Sequence, residues 1–176
     1  LEVFDYFRSY NKNIWLSMNT NAGAKPVEWW RELAQVYGRM GAVIFSVDGL
    51  KDTNHLYRQN VVWDNVERNM RAFIDAGGRA RWDYIIFGHN EHQVEEAEAL
   101  AESWGVERFQ KKKSARFFTA GSERKEVHQA KNRKGEQTQA IAEPAKKENK
   151  NIALEKTAEI KKTYGSMMDY YNKCKI

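Results

Sequence analysis

The stretch AVIFSVDGLKDTNHLYR, Ala42–Arg58, sets the fold class. Its first six residues, Ala42 to Val47, form a short apolar run of the kind found in strands buried on both faces of a parallel sheet. The run ends at Ser46-Val47-Asp48-Gly49, where the chain enters a polar loop carrying Asp52, Asn54, His55 and Arg58. A buried strand that stops at a polar loop is the arrangement in which α/β proteins place ligand contacts.

The same rhythm extends in both directions. Upstream, Val3–Tyr10 has helical spacing, Ile14–Met18 reads as a strand, and Trp29, Trp30, Leu33, Val36 and Tyr37 recur near helical period after Pro26. Downstream, Trp63, Val66, Met70, Phe73 and Ile74 define a helix closed by Gly77-Gly78. A third strand is expected over Trp82–Phe87, a helix over Glu91–Trp104, and a fourth strand over Val106–Gln110. Helices alternating with buried strands predict an α/β fold with a parallel sheet and crossover helices, either open or part of a barrel.

Charge divides the chain. From Lys111 onward there are seventeen Lys and Arg against eight Asp and Glu, and before it twelve against sixteen. The sequence pI of about 9.2 therefore belongs to the C-terminal third. Residues 111–150 are dominated by Lys, Arg, Gln, Asn, Glu and Ser and predict a mobile linker. Ile152–Tyr164 predicts a last helix, followed by an apolar cluster of Met167, Met168, Tyr170 and Tyr171. The sequence offers no apolar run near the ~20 residues of a membrane span and no signal-like start, so a cytoplasmic protein is expected. A lone Cys174 makes no internal disulfide and is too few ligands for a metal cage.

Short polar clusters fall at the predicted strand ends: Asn19-Thr20-Asn21, Ser46 with Asp48-Gly49, His89-Asn90 with His92-Gln93, then Lys112, Lys113 and Arg116. Each alone reads equally as cap or turn chemistry, and Lys111-Lys112-Lys113 as a solvated run. Trp29-Trp30 reads as helix packing.

Taken in order, the series SMNTNAG, PVEWWRELA, VIFSVDGLKDTNHLYR, WDNVERNMRAFIDAGG and WDYIIFGHNEHQVEEAEALAESWG resembles the middle of a radical S-adenosylmethionine enzyme, over roughly residues 1–118. The resemblance is closest to members with a SPASM or twitch extension. It implies that residues 1–118 are strands three to six of a partial (β/α)6 TIM barrel, 119–150 a basic flexible linker, and 151–176 a helical lead-in to a truncated C-terminal domain. Thr20 and Asn21 match the family's Thr-Asn-Gly strand end, with Ala22 interposed. Ser46 and Asp48 match its Ser-x-Asp-Gly segment, and Arg58 an arginine that follows. With Asn90 these are the expected S-adenosylmethionine contacts.

The family's CxxxCxxC loop is absent here, so the ligands of its [4Fe-4S] cluster are expected outside this chain, which is read as an internal fragment. Cys174 is the candidate auxiliary-cluster ligand. The parent would form a 5′-deoxyadenosyl radical and abstract hydrogen from a small-molecule or peptide substrate. It would need a reductant protein and no membrane, and the fragment alone would be inactive. The alternative from another class is a basic nucleic-acid-binding α/β module, although solvation accounts for the basic tail more simply. A complete α/β enzyme of another kind would need a nucleophile motif such as G-x-S-x-G or a phosphate-binding glycine loop, neither of which is present.

Overall fold

The computed structural model of the protein describes residues 1–119, 123–131 and 134–174. It divides into two compact units, the first made of residues 1–86 and 90–112 and the second of 87–89 and 113–176.

In the first unit the order is α1 (Glu2–Tyr10), β1 (Leu16–Thr20), α2 (Val27–Tyr37), β2 (Gly41–Ser46), α3 (Asn54–Tyr57), α4 (Trp63–Asp75), β3 (Ala80–Ile86), α5 (Val94–Ser103) and β4 (Arg108–Lys113). The α/β architecture expected from the alternation is the one observed. The sheet has four strands in the sequential order β1-β2-β3-β4. β1 pairs parallel to β2 and β2 parallel to β3, with Phe45 opposite both Thr20 and Trp82, and Ser46 opposite Asp83. β1 lies two residues later than expected at both ends, β3 starts two residues and ends one residue earlier, and β4 starts two and ends three residues later.

All three long crossover helices pack on one face of this sheet. α2 buries Trp30, Leu33, Ala34 and Tyr37, and α4 buries Val66, Asn69, Met70 and Phe73, each at the i, i+3, i+4, i+7 spacing of an apolar stripe. Trp30 and Phe73 meet Phe45 of β2 at ring-centroid distances of 5.6 and 5.8 Å, and Trp104, just past α5, stacks on Trp82 of β3 at 5.7 Å. Trp30 is thus core packing, as its helical spacing implies. Full burial of each such ring contributes about 2–3 kcal/mol. The pleat sends alternate residues to the opposite face. There Ser17, Asn19, Ile44, Ser46, Arg81, Asp83 and Ile85 make a mixed and partly exposed surface.

β4 departs from expectation, because the run Lys111-Lys112-Lys113 belongs to a strand rather than to solvent. Phe109 packs on Trp82 and Tyr84 and fixes which residues face inward. Alternation then places Lys112 on the helix-free face, where its ammonium pairs with the Asp83 carboxylate.

The second unit contains β5 (Val127–Lys131), β6 (Gln137–Ala142), α6 (Ile152–Tyr164) and α7 (Met167–Lys173). β5 and β6 form an antiparallel ribbon with a register irregularity at Ala130/Lys131. Inside 119–150, where composition predicts a mobile linker, Val127–Lys131 and Gln137–Ala142 are therefore paired. The ribbon needs little apolar surface because its ladder satisfies the backbone, and Ile141, opposite His128, is its buried side chain. α6 covers the expected helix and is capped by Asn151, whose Oδ1 accepts from Leu154 N at 3.3 Å.

Candidate functional site at the strand ends

The loop after β2 is built around Asp48, which is wholly buried. Arg58 donates to Asp48 Oδ2 from Nε at 2.7 Å and from Nη2 at 2.6 Å. The backbone N–H of Ile85 in β3 donates to the other oxygen, Oδ1, at 2.6 Å. A buried carboxylate is tolerable only when it is paired and hydrogen-bonded in this way. Its own backbone is held as well, since Asp48 N–H donates to Asn54 Oδ1 at 3.1 Å and Asp48 C=O accepts from Asn90 Nδ2 at 2.9 Å. Gly49 follows at φ +145°, where a Cβ would lie 2.3 Å from Thr53 Oγ1 and 2.7 Å from Asn54 N, so this turn requires glycine.

Asn90 ties the second strand end to the third. Its Nδ2 donates also to Ile85 C=O at 3.0 Å, and its own carbonyl accepts from the Tyr84 hydroxyl at 2.9 Å. Burial, reinforced by the charges of Asp48, Asp52 and Glu96, pushes the Tyr84 hydroxyl well above its ordinary range and keeps it a donor. Gln93 completes the bridge by donating to Asp52 Oδ1 at 2.6 Å and by meeting the Thr53 hydroxyl. Trp82 Nε1 donates to Val47 C=O at 2.8 Å from below.

The first strand end is turn chemistry. Thr20 Oγ1 accepts from Ala22 N at 3.1 Å, and Asn21 Oδ1 accepts from Gly23 N at 3.1 Å. Ala22, the residue that interrupts the Thr-Asn-Gly pattern, is buried at φ +57°. Asn69 of α4, itself buried, donates to its carbonyl at 2.7 Å and so pins the loop to the helix layer.

Of the six expected contacts, Asp48, Arg58 and Asn90 are thus brought together, bonded to one another and to the backbone. Thr20 and Asn21 sit at the neighbouring strand end with their oxygens engaged locally. Ser46 is different. Its half-buried hydroxyl stands on the helix-free face beside Asp83 and makes no hydrogen bond among the described residues. One further group has the same character: Asn54 Nδ2 is buried with no acceptor, although the other end of that amide is satisfied by Asp48 N–H. Asn54 was not singled out as a candidate contact; its position five residues after the Ser-x-Asp-Gly segment is the signal that could have found it.

No family model matches the sequence, and no curated protein matches it. Among solved structures, native anSMEcpe with bound AdoMet is similar to this chain. The two are 16% identical with a TM-score of 0.48, over 65% of this chain and 34% of the other, so this chain spans about a third of that protein's length.

The described residues contain no group of three or more His, Cys, Asp and Glu side chains that could hold a metal ion. Among the described residues, His89 and His92 are joined by no third such ligand. Cys174 is exposed at the end of α7, and its thiol hydrogen-bonds the Tyr170 hydroxyl, pushing that phenol's pKa up. The residues present do not fit an iron–sulfur cluster. No helix of the described residues is long and apolar enough to cross a membrane.

Proposed function

We propose that this chain supplies an arc of barrel wall and part of the S-adenosylmethionine-holding rim of a radical S-adenosylmethionine enzyme. The observation that carries the reading is the one-sided sheet. Parallel sheets are ordinarily covered on both faces, and sequential strand order with crossovers of one hand puts every helix on the same side. Such a sheet hides its other face by closing into a barrel, whose interior is lined by alternate strand residues and whose ligands sit at the carboxyl ends. Ser46 and Asp83 occupy those positions here.

The roles within the rim differ from residue to residue. Asp48, Arg58 and Asn90 lock the second and third strand ends in fixed relation, acting as positioning residues. The Ser46 hydroxyl and the Asn54 amide offer unspent hydrogen-bonding capacity to the ribose or amino-acid part of the ligand. Thr20 and Asn21 border the same rim. In such an enzyme the cofactor, with a reduced cluster held by residues beyond this chain, would supply the radical chemistry of hydrogen abstraction, and the residues named here would bind and orient the S-adenosylmethionine. Cluster ligation falls to residues beyond this chain, so the chain alone is expected to bind but not to turn over.

Equilibrium dialysis of the 176-residue chain against S-adenosylmethionine tests this directly. Saturable binding in the millimolar range or tighter, weakened in Ser46→Ala with an unchanged far-UV spectrum, is expected. A folded chain with no saturable binding would remove the reading.

A further inference from the structure

On the helix-free face of the first unit one guanidinium is left without an acceptor. Arg81 stands on β3 two residues before Asp83 and opposite Ile44 of β2. Its Nε–H is buried with no partner, and among the described residues no ion pair or hydrogen bond reaches its side chain. The guanidinium lies 5.9 Å from the ring centroid of Trp15, and that of Arg79 lies 5.3 Å from the same ring. An aromatic face attracts such cations, but two like charges on one ring repel each other, and a partly desolvated charge is costly until it is paired.

The acidic groups nearby are already spent. Glu107 feels the Arg81 charge, but its two oxygens accept from Arg79, through Nε at 3.1 Å and Nη2 at 2.5 Å. The Asp83 carboxylate is paired with Lys112. Arg108, which alternation turns toward the same face, is exposed to water. The half-buried surplus of positive charge therefore rests on the planar fork of Arg81.

We propose that Arg81 anchors a carboxylate of the substrate. This rests on the reading of the face as the lining of a barrel whose rim holds S-adenosylmethionine, and it names the chemical class of the molecule bound beneath that rim. A guanidinium presents coplanar N–H donors that match the two oxygens of a carboxylate. A single uncompensated charge suits a monoanion better than a phosphate ester, which brings nearly two negative charges. Asn19 of β1, opposite Ile44 in the same row of the sheet, adds an exposed amide, and Ser46 with Asp83 form the next row toward the strand ends. A substrate held by Arg81 extends along this face from its carboxylate toward the Ser46 row.

The test is an NMR titration of the full 176-residue chain, following the Arg81 Nε–H and the Trp15 indole N–H. N-acetylglycine is expected to shift both saturably, with a Kd in the millimolar range or tighter, and N-acetylglycinamide, which lacks the charge, to shift neither. Arg81→Gln, followed through the Trp15 signal, should weaken N-acetylglycine about tenfold or more, and Arg81→Lys, which keeps the charge but not the fork, should fall between. Tighter binding of trialanine than of N-acetylglycine would identify a peptide C-terminus as the source of the carboxylate, and equal binding a small acid. Acid and amide binding alike, inorganic phosphate binding more tightly than N-acetylglycine, or full affinity in Arg81→Gln would each overturn the proposal. S-adenosylmethionine is titrated separately. If it binds and N-acetylglycine does not, the anchor fails and the cofactor reading stands; if N-acetylglycine alone binds, the cofactor reading fails and the Arg81 site stands.

Discussion

Removing Arg58 should destabilise the first unit through the carboxylate it leaves behind. In Arg58→Met, Asp48 Oδ2 loses the Arg58 Nε and Nη2 donors, at 2.7 and 2.6 Å, while Oδ1 keeps Ile85 N–H at 2.6 Å. The carboxylate is wholly buried and loses its guanidinium counter-charge. Breaking a buried ion pair from one side costs about 3–5 kcal/mol, and because the Arg58 side chain is 24% exposed, the lower end, about 3 kcal/mol, applies here. The sharper consequence is a reversal of sign at the partner. In the wild-type background Asp48→Asn discards a satisfied ion pair and should destabilise. Against Arg58→Met the same substitution removes a stranded charge and should recover about 1–2 kcal/mol. Urea unfolding followed by tryptophan fluorescence is the appropriate assay. All six tryptophans, at positions 15, 29, 30, 63, 82 and 104, lie in the first unit, so the signal reports that unit alone. If Asp48→Asn destabilises equally in both backgrounds, the pair is not what makes this buried carboxylate tolerable, and the account of the loop is wrong.

Three other outcomes follow from the same geometry. Gly49→Ala forces a Cβ to 2.3 Å from Thr53 Oγ1 at φ +145° and should cost about 2–3 kcal/mol in the urea midpoint; a change below ~1 kcal/mol would mean that the turn relaxes freely. Asn90→Ala strands the carbonyls of Asp48 and Ile85 and should cost about 2–4 kcal/mol, read by the same unfolding curve, with amide exchange rising first at the second and third strand ends. Burial pushes the Tyr37 hydroxyl up to about 12 and raises Tyr84 as well. Between their unfolded value near 10 and these higher folded ones, the unfolded chain has lost protons that the folded chain keeps. Stability should therefore be intact below pH ~10 and fall as pH rises through ~12, by on the order of 2–3 kcal/mol for Tyr37 alone. Tyr37→Phe should shift the alkaline midpoint upward, and an unmoved midpoint would count against this cause.

How much of this was legible beforehand depends on which kind of signal each feature leaves. Periodicity revealed α2, α4 and β2, because Trp30, Leu33, Tyr37 and the run Ala42–Val47 declare their faces by spacing alone. β4 was expected over Val106–Gln110, but its extension through Lys111–Lys113 was hidden because an edge strand spends its outward positions on lysine, and Phe109 meeting Trp82 discloses which way it faces. The β5–β6 ribbon was hidden for a related reason: Val-His-Gln-Ala-Lys and Gln-Thr-Gln-Ala-Ile-Ala bury little beyond Ile141, so backbone pairing rather than an apolar pattern holds them. The rim is the instructive case. Its residue types and places at the strand ends were readable, but a sequence does not distinguish an aspartate and arginine waiting for a ligand from an aspartate and arginine satisfied by each other. Here they are satisfied by each other, and this redirects the search for ligand contacts. A carboxylate already accepting from Arg58 and Ile85 has little left to offer a ribose, and Arg58 would have to surrender a buried partner to meet a ligand carboxylate. Ser46→Ala and the Asn54 amide therefore separate binding from stability more cleanly than substitutions at Asp48 or Arg58. If ligand affinity instead tracked Asp48 and Arg58 at constant fold stability, the pair would have to open on binding, and the loop after β2 would be a gate rather than a frame.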